Sequence, residues 1–376
     1  MPRVRGVLLN LLTVAVSIGV TLLAAEVLLR FLPVAAAPPV EPPTAENPIQ
    51  RYAGNHPYTW SFDWNMNNVV RGRSNAQGFL DDHDYDAADP RPLVAVIGDS
   101  FIEALGVPFA QSLTGRLQSA LGDRGRAYAF AQSGAPLSQY VAYARHACAV
   151  YRPARMVVSV VGNDFDESIF AHRRRDGIFH LHPRPEGGFD HRLTPLPAPG
   201  FVERLMRRSA LALYLMRNVG LSGLFANMGI NLAQTEPADR YVGQTRADAD
   251  PARIEEGKRV IDWFLDELPR AACLATDNIV IVVDTPRPQV YDAAALAEVQ
   301  TSYFGQMRRR MIDQAKARGF RVVDTEPHFV AAYAPDHRGF EHPTDGHWNA
   351  HGHAVVAAAV SRALADWPAL AADKGE

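Results

Sequence analysis

The stretch LVAVIGDSF, at residues 93–101, decides the fold class of this chain. Its first five residues are apolar and mostly β-branched, which is typical of a strand buried on both faces of a parallel sheet. Gly98 and Asp99 interrupt the apolar run, and Ser100 stands where the chain turns towards a helix. Parallel sheets bind their ligands at the carboxyl ends of strands, so Ser100 is a candidate nucleophile.

Further apolar runs of the same kind are separated by segments with helical periodicity. Together with the first run they predict strands at residues 93–97, 127–131, 156–161, 279–284 and 320–324. An amphipathic stripe such as Leu113, Leu117 and Leu121 lies between the first two. This alternation predicts an α/β fold, a three-layer αβα sandwich around a five-stranded parallel sheet.

The third and fourth predicted strands are too far apart for a simple connection in a compact domain. The sequence therefore predicts an insertion at about residues 165–255. Residues 177–196 mix His, Pro, Gly and aromatic residues as a hairpin or loop does, and residues 201–216 have helical periodicity. A lid over the active site and an auxiliary packing element are both open roles for this insertion.

The N-terminus carries a membrane-spanning pattern. Residues 6–25 contain no charge and are long enough to cross a hydrocarbon core. Arg3 and Arg5 precede this run and Glu26 follows it, which predicts a cytoplasmic N-terminus and an exported remainder, periplasmic or extracellular. We expect an uncleaved single-pass anchor at residues 1–32, because the run exceeds the ~7–15 residues of a signal-peptide core. Processing after Ala36 is the alternative.

Proline spacing and charge define the rest of the organisation. Residues 33–50 are proline-rich, which predicts an extended linker without helix or sheet. The domain then spans residues 51–376, and residues 52–79 are expected to be irregular. A net charge of −3 argues against a nucleic-acid partner. The basic run Arg173–Arg175 is interpreted as a solvated loop, with contact to anionic glycan or lipid headgroups as the alternative.

The chain has two cysteines, Cys148 and Cys273. Both fall in the part predicted to be exported, where disulfides persist, so a disulfide and two separate buried thiols both remain open. His342, His351 and His353 lack grouped acidic or cysteine ligands, so no metal site and no cofactor are predicted. The sequence does not indicate an oligomeric state.

A carboxylate and an imidazole lie two residues apart near the C-terminus, in the run TDGHWN at residues 344–349. A serine hydroxyl needs an adjacent base that a third group orients. Asp345 and His347 supply those two groups, and the fold should bring their loop to the sheet edge that carries Ser100. His351 is the alternative base.

These residues resemble the SGNH, or GDSL-type, serine hydrolases. Gly98-Asp99-Ser100 is similar to the first block of that family, Gly134 to its oxyanion glycine, and Gly162-Asn163-Asp164 to the block that supplies an oxyanion asparagine. Asp345 and His347 correspond to the final acid–base block. The resemblance covers about residues 93–366 and implies a flavodoxin-like fold, with Ser100, His347 and Asp345 catalytic and with Ser100, Gly134 and Asn163 forming the oxyanion hole.

The acid–base block departs from the usual family spacing. Most members place the acid three residues before the histidine, whereas Asp345 stands two residues before His347, with Trp348 following. This form is similar to the branch that includes exopolysaccharide O-acetyltransferase-like proteins. The resemblance as a whole implies an exported, membrane-anchored esterase acting on an acyl, chiefly acetyl, ester of a cell-envelope carbohydrate. An O-acyltransferase and a non-catalytic glycan-binding scaffold are the alternatives.

Overall fold

The structure, a computed structural model, describes residues 2–221 and 241–367. The strands in these ranges are β1 (Val40–Glu41), β2 (Arg51–Tyr52), β3 (Pro57–Phe62), β4 (Asn67–Arg73), β5 (Leu93–Gly98), β6 (Arg126–Ala131), β7 (Arg155–Val160), β8 (Phe179–Pro183), β9 (Phe189–Leu193), β10 (Tyr241–Val242), β11 (Thr245–Arg246), β12 (Ile279–Val283), β13 (Arg321–Asp324), β14 (Glu341–His342) and β15 (Asp345–Trp348).

The helices fill the segments between these strands. They are α1 (Pro2–Leu29), α2 (Ser100–Glu103), α3 (Leu113–Leu121), α4 (Leu137–Tyr151), α5 (Asp164–Glu167), α6 (Phe201–Met206), α7 (Ala210–Leu213), α8 (Pro251–Ala272), α9 (Arg287–Val290), α10 (Ala293–Val299), α11 (Tyr303–Ala317), α12 (Thr325–Tyr333) and α13 (Ala350–Ala363).

The predicted strands form one five-stranded parallel sheet in the order β6-β5-β7-β12-β13. Counted along the chain, this is the 2-1-3-4-5 order of flavodoxin-like folds. β5 lies between β6 and β7, so the loops that follow these three strands are neighbours at one sheet edge.

The sheet is covered on both faces, as alternating side chains require. Ala95 and Ile97 belong to the hydrophobic cluster that α4, α8 and α11 complete. Val94 and Val96 belong to a second cluster, which α3 and α13 complete. The predicted αβα sandwich is therefore confirmed.

The region before the sheet differs from the prediction. Residues 52–79 were expected to be irregular, but β3 and β4 lie within them as two strands of one sheet. The linker was expected to exclude sheet, yet Val40 pairs with Tyr52 and Glu41 with Arg51. Pro39 and Pro42 flank these two residues without replacing them, so the backbone N–H groups of Val40 and Glu41 remain.

The chain divides into two compact units. One contains residues 1–37, 58–71 and 198–234, and the other contains residues 38–57, 72–197 and 235–376, including the sheet. Within the first unit, the single helix expected at residues 201–216 is interrupted. α6 ends at Met206, and Ser209 then caps α7, because its hydroxyl accepts a hydrogen bond from the Ala212 amide.

α1 includes the helix Val4–Leu29, which in the described residues is long and apolar enough to span a membrane. Its large apolar side chains from Val4 to Leu28 are exposed, and Leu29 is buried. This supports the predicted transmembrane helix.

Cys148 and Cys273 form a disulfide, with their Cα atoms 5.9 Å apart. Cys148 lies in α4, and Cys273 is the C-cap of α8. The bond therefore joins two helices that cover the same face of the sheet, and it settles the question that the sequence left open.

Candidate active site

Ser100 is presented at the carboxyl end of β5 by a sharp change from strand to helix. Asp99 is the N-cap of α2, because its side chain accepts a hydrogen bond of 3.0 Å from the Phe101 amide. Ser100, as the first residue of α2, therefore does not need its hydroxyl for capping. The hydroxyl lies 2.6 Å from His347 Nε2 and 3.2 Å from Asp99 Oδ2.

His347 and Asp345 meet Ser100 as the sequence predicts. His347 Nδ1 contacts Asp345 Oδ1, and the same carboxylate oxygen accepts a hydrogen bond of 2.8 Å from the His347 backbone amide. His347 thus has one ring nitrogen towards the acid and the other towards the serine. This is the arrangement in which Nε2 is free to accept the serine proton.

The two-residue spacing of acid and base follows from local structure. Asp345 and His347 both lie in β15, which pairs with β14 in an antiparallel sheet. Side chains two residues apart in a strand point to the same face. Trp348 points to the other face and is buried, so it faces the interior while His347 faces the serine.

Buried groups from the loop after β12 and from the start of α9 hold β15 in place. The Trp348 indole N–H donates a hydrogen bond of 3.1 Å to Asp284 Oδ1. Arg287, which is buried, bonds to Asp284 and to the Gly346 carbonyl oxygen. The Arg287 guanidinium also lies over the Phe101 ring. These contacts join the acid–base strand to the main sheet.

The local electrostatics suit a general base. Burial opposes the charged imidazolium, but the hydrogen bond and the charge of Asp345 outweigh it, so the pKa of His347 is raised. Burial acts against the Asp345 carboxylate as well, yet the His347 contacts lower the pKa of that acid. Asp345 therefore stays charged and stabilises the imidazolium.

Gly134 lies in a turn that follows β6. Ala135 N donates a hydrogen bond of 3.0 Å to Gln132 O, and Gly134 has a φ of +70°, as the third position of a type II turn requires. A Cβ at Gly134 would collide with the Arg175 guanidinium. The positive φ therefore favours glycine at this position, and any side chain here would displace the Arg175 guanidinium.

Two side chains that the sequence did not indicate hold this turn. Glu103, buried in α2, accepts a hydrogen bond of 3.0 Å from the Ser133 amide and also contacts the Ser133 hydroxyl. Arg175 donates to the Ser133 carbonyl oxygen. Arg175 had been interpreted as part of a solvated basic loop, and this hydrogen bond corrects that interpretation for Arg175.

Asn163 follows β7 on the other side of Ser100, where its buried amide oxygen has no hydrogen-bond partner in the described residues. It lines a cleft of about 800 Å³. The cleft wall also includes the β10–β11 hairpin, whose turn residues Gly243 and Gln244 both have positive φ.

The cleft is polar, but its charges are largely paired. Arg253 pairs with Asp166 and Asp248, Arg173 with Glu167, and His172 with Glu256. Tyr241, which is exposed, adds an aromatic surface. Such a wall offers many hydrogen-bonding groups with little unpaired charge.

The other histidines near the C-terminus have different surroundings. His351 stacks on Phe340 in the first turn of α13. His353 is buried and accepts a hydrogen bond of 3.1 Å from the Leu113 amide, and burial lowers the pKa of His353 to about 3. Within residues 2–221 and 241–367, no group of three or more His, Cys, Asp or Glu residues is placed to hold a metal ion.

Comparison with known proteins finds a family model that matches one part of this chain. Residues 244–376 match the model of the SGNH hydrolase-like domain of acetyltransferase AlgX. This range includes Asp345 and His347, and Ser100, Gly134 and Asn163 lie outside it. None of the curated protein sequences matches the chain significantly.

Several solved structures are similar over most of the chain. TesA has 14% identity and a TM-score of 0.39, covering 72% of this chain and 97% of that one. A lipase/acylhydrolase from Enterococcus faecalis has 10% identity and a TM-score of 0.36, with coverage of 73% and 95%. A GDSL-like lipase from Bacteroides thetaiotaomicron has 11% identity and a TM-score of 0.33, with coverage of 72% and 87%.

Because these identities and TM-scores are low, the family comparison rests on the family model and on the strand order of the sheet. The resemblance read from the sequence blocks is confirmed for residues 244–376, which match the SGNH hydrolase-like domain family, and the five-stranded parallel sheet has the flavodoxin-like strand order that this resemblance implies.

Proposed function

We propose that this chain is an exported, membrane-anchored serine esterase that cleaves an acyl ester, with acetyl the expected acyl group and a cell-envelope carbohydrate the expected substrate. The contact of 2.6 Å between Ser100 Oγ and His347 Nε2 is the observation that carries this proposal. The SGNH-type fold supports acyl-ester chemistry of this kind.

In the proposed reaction, Ser100 Oγ attacks the ester carbonyl carbon while its proton passes to His347 Nε2. The new C–O bond forms, and the carbonyl electron pair moves onto the oxygen. The oxyanion is met by the backbone N–H groups of Ser100 and Gly134 and by the amide of Asn163. His347 then returns the proton to the departing alcohol oxygen, which leaves an acyl group on Ser100.

An acceptor oxygen next attacks the acyl carbon while its proton passes to His347, and the bond from the acyl carbon to Ser100 Oγ then breaks as His347 returns the proton to Oγ. Water gives an esterase, and a sugar hydroxyl gives an O-acetyltransferase. The match to a domain named for acetyltransferase AlgX supports the O-acetyltransferase, which is therefore the alternative function. The cleft beside Asn163 suits either a sugar substrate or a sugar acceptor, because paired charges and an exposed Tyr241 match a neutral polyhydroxyl ligand.

The proposed location rests on two features. α1 is long and apolar enough to anchor the chain, and Arg3 and Arg5 precede its uncharged run at residues 6–25. The disulfide between Cys148 and Cys273 fits an oxidising compartment outside the cytoplasm. The glycan-binding scaffold is disfavoured by the hydrogen-bonded serine and histidine, which a binding module has no need to keep.

The test is acyl release from a chromogenic acetate by the full-length protein, with and without oligosaccharide acceptors. We expect release by the wild type, and a loss of about 10⁴-fold or more for Ser100→Ala. Acetyl-oligosaccharide formed at the expense of free acetate would select the transferase. No acyl release above background by the wild type, together with equal fluorophosphonate labelling of the wild type and Ser100→Ala, would instead leave only the non-catalytic scaffold.

A further inference from the structure

The unit that contains α1 also carries an apolar surface outside the membrane-spanning helix. In α6, Phe201, Val202 and Leu205 are 74%, 65% and 61% exposed. Their spacing places them along one side of the helix. Large apolar side chains grouped in this way on a protein surface mark a contact with a partner or with lipid.

Hydrogen bonds fix the position, along the axis of α1, of the residues that follow α6. The Glu26 carboxylate accepts from the Ser209 hydroxyl at 2.7 Å and from the backbone amides of Ala210 and Leu211 at 3.1 and 2.9 Å. Glu26 stands three residues before Leu29, the last residue of α1. At 1.5 Å per residue, the start of α7 therefore lies within about 5 Å, along the helix axis, of the end of the proposed membrane span.

Aromatic and apolar groups from two other segments of the same unit gather at this level. Phe31, just after α1, is 83% exposed, and Trp64, between β3 and β4, is 69% exposed. The Trp64 carbonyl oxygen accepts a hydrogen bond of 2.8 Å from the Tyr214 hydroxyl. An apolar cavity of about 590 Å³ between Leu28, Leu32, Trp64 and Leu211 opens in the same place.

Basic side chains accompany the apolar ones. Arg204, Arg207 and Arg208 are exposed in and directly after α6. Arg207 pairs with Glu203, so the segment keeps a net positive charge. A helix with an apolar side and arginines beside it is typical of segments that lie in the surface of an anionic membrane. In membrane proteins generally, tryptophan and tyrosine are enriched at the interface between the bilayer and water.

We propose that α6, the residues that follow α1 and the turn at Trp64 form a second membrane contact, which lies in the headgroup region of the bilayer that α1 spans. This interfacial surface (Phe31, Trp64, Phe201, Val202 and Leu205) rests on the anchor proposed above, because only a spanning α1 places it at the bilayer. Its apolar side chains enter the boundary between headgroups and acyl chains, and Arg204 and Arg208 face lipid phosphates. The protein thereby contacts the bilayer through α1 and through the interfacial surface.

The test uses the full-length protein in phosphatidylcholine–phosphatidylglycerol vesicles with one fluorescent label. Both native cysteines are in the disulfide, so an introduced cysteine is the single free thiol. The label is placed by Leu205→Cys in the interfacial surface, by Val16→Cys in α1 or by Val330→Cys in α12. All three replaced side chains are exposed, at 61%, 57% and 43%, so the substitutions do not disturb a core.

We expect labels at positions 16 and 205 to be quenched severalfold more by spin-labelled lipids than the label at 330, and to be shielded from iodide. If position 16 is quenched while position 205 behaves as position 330 does, the interfacial surface is wrong and the anchor stands. If position 16 is not quenched, the anchor itself fails. Shielding of position 205 from both lipid and iodide would assign the surface to a protein partner and overturn the proposal.

Discussion

The two flanks of Ser100 are held in different ways. On one flank, Asp345 and His347 lie in the short strand β15, and backbone pairing, the buried Trp348 and Arg287 fix that strand. On the other flank, the turn at Gly134 is fixed by Glu103 and Arg175, which reach it from α2 and from the insertion. Asp345, His347 and Trp348 are neighbours in the sequence, whereas Arg287, Glu103 and Arg175 are remote in it from the groups that they hold.

This difference predicts how each flank fails when it is perturbed. A change of Asp345 or His347 removes a group of the proposed reaction itself. A change in the remote supports leaves every reacting group present and alters only the orientation of an amide or a strand. We therefore expect a graded series of losses, which the following variants measure.

The largest loss in this series should come from Asp345→Asn. The amide cannot hold His347 in the tautomer that leaves Nε2 free, and the corresponding change in a serine protease triad lowers kcat by about 10⁴-fold. We expect a similar fall in kcat with chromogenic acetate, with little change in KM. A variant that keeps most of the wild-type kcat would show that Asp345 is not the orienting acid.

The same variant tests the pH dependence. His347 acts as a base only when neutral, and Asp345 raises the pKa of His347. In the wild type, kcat/KM should therefore fall as the pH drops through a pKa above the ordinary value for histidine, 6.5. In Asp345→Asn, this acid limb should move to lower pH. An acid limb in the same place in both proteins would contradict the proposed coupling.

The next loss should come from Arg175→Ala, which tests the other flank. The carbonyl of Ser133 and the amide N–H of Gly134 belong to one planar peptide and point in opposite directions. By holding that carbonyl, Arg175 directs the Gly134 N–H and strengthens it as a donor. We expect kcat to fall by less than the about 10²–10³-fold that follows deletion of an oxyanion donor. KM should not change.

Two controls separate positioning from general destabilisation. Arg174→Ala removes a neighbouring arginine whose side chain is 67% exposed, and it should leave kcat unchanged. Arg175→Lys retains the charge and a donor, so it should recover part of kcat, whereas a purely structural defect would follow the thermal midpoint of each variant. Equal loss of kcat in Arg174→Ala and Arg175→Ala would remove the assigned role of Arg175.

The sequence predicts the features that depend on local signals. Apolar runs are local, and the five strands of the sheet therefore lie within a residue or two of their predicted bounds. Part of the candidate triad is also local, because Asp345 and His347 lie two residues apart in a strand and therefore point to the same face. Ser100 contacts His347, which is 247 residues away in the chain. This contact could be expected only because Ser100 follows the first strand of the sheet and His347 lies in the segment after the last one.

The remaining features depend on contacts that no local pattern encodes. Arg175 looks like any solvated arginine until the insertion folds back to Ser133, 42 residues earlier. The disulfide joins positions 125 residues apart, and each cysteine alone resembles a buried thiol. The strands β3 and β4 lack a clear alternation of polar and apolar residues, so composition alone suggested irregular structure.

The smallest loss of activity should follow Trp348→Phe, which weakens the acid–base flank through its support. Phenylalanine keeps an aromatic ring but removes the indole N–H, so one oxygen of the buried Asp284 loses its partner. Such a loss costs about 1–3 kcal/mol in the free energy of unfolding. We expect that fall in urea titrations with kcat reduced less than in Arg175→Ala. Trp263→Phe, in the half-buried part of α8, is the control and should cost less. A Trp348→Phe variant as stable as this control would show that β15 is held by its backbone pairing and by Arg287 alone.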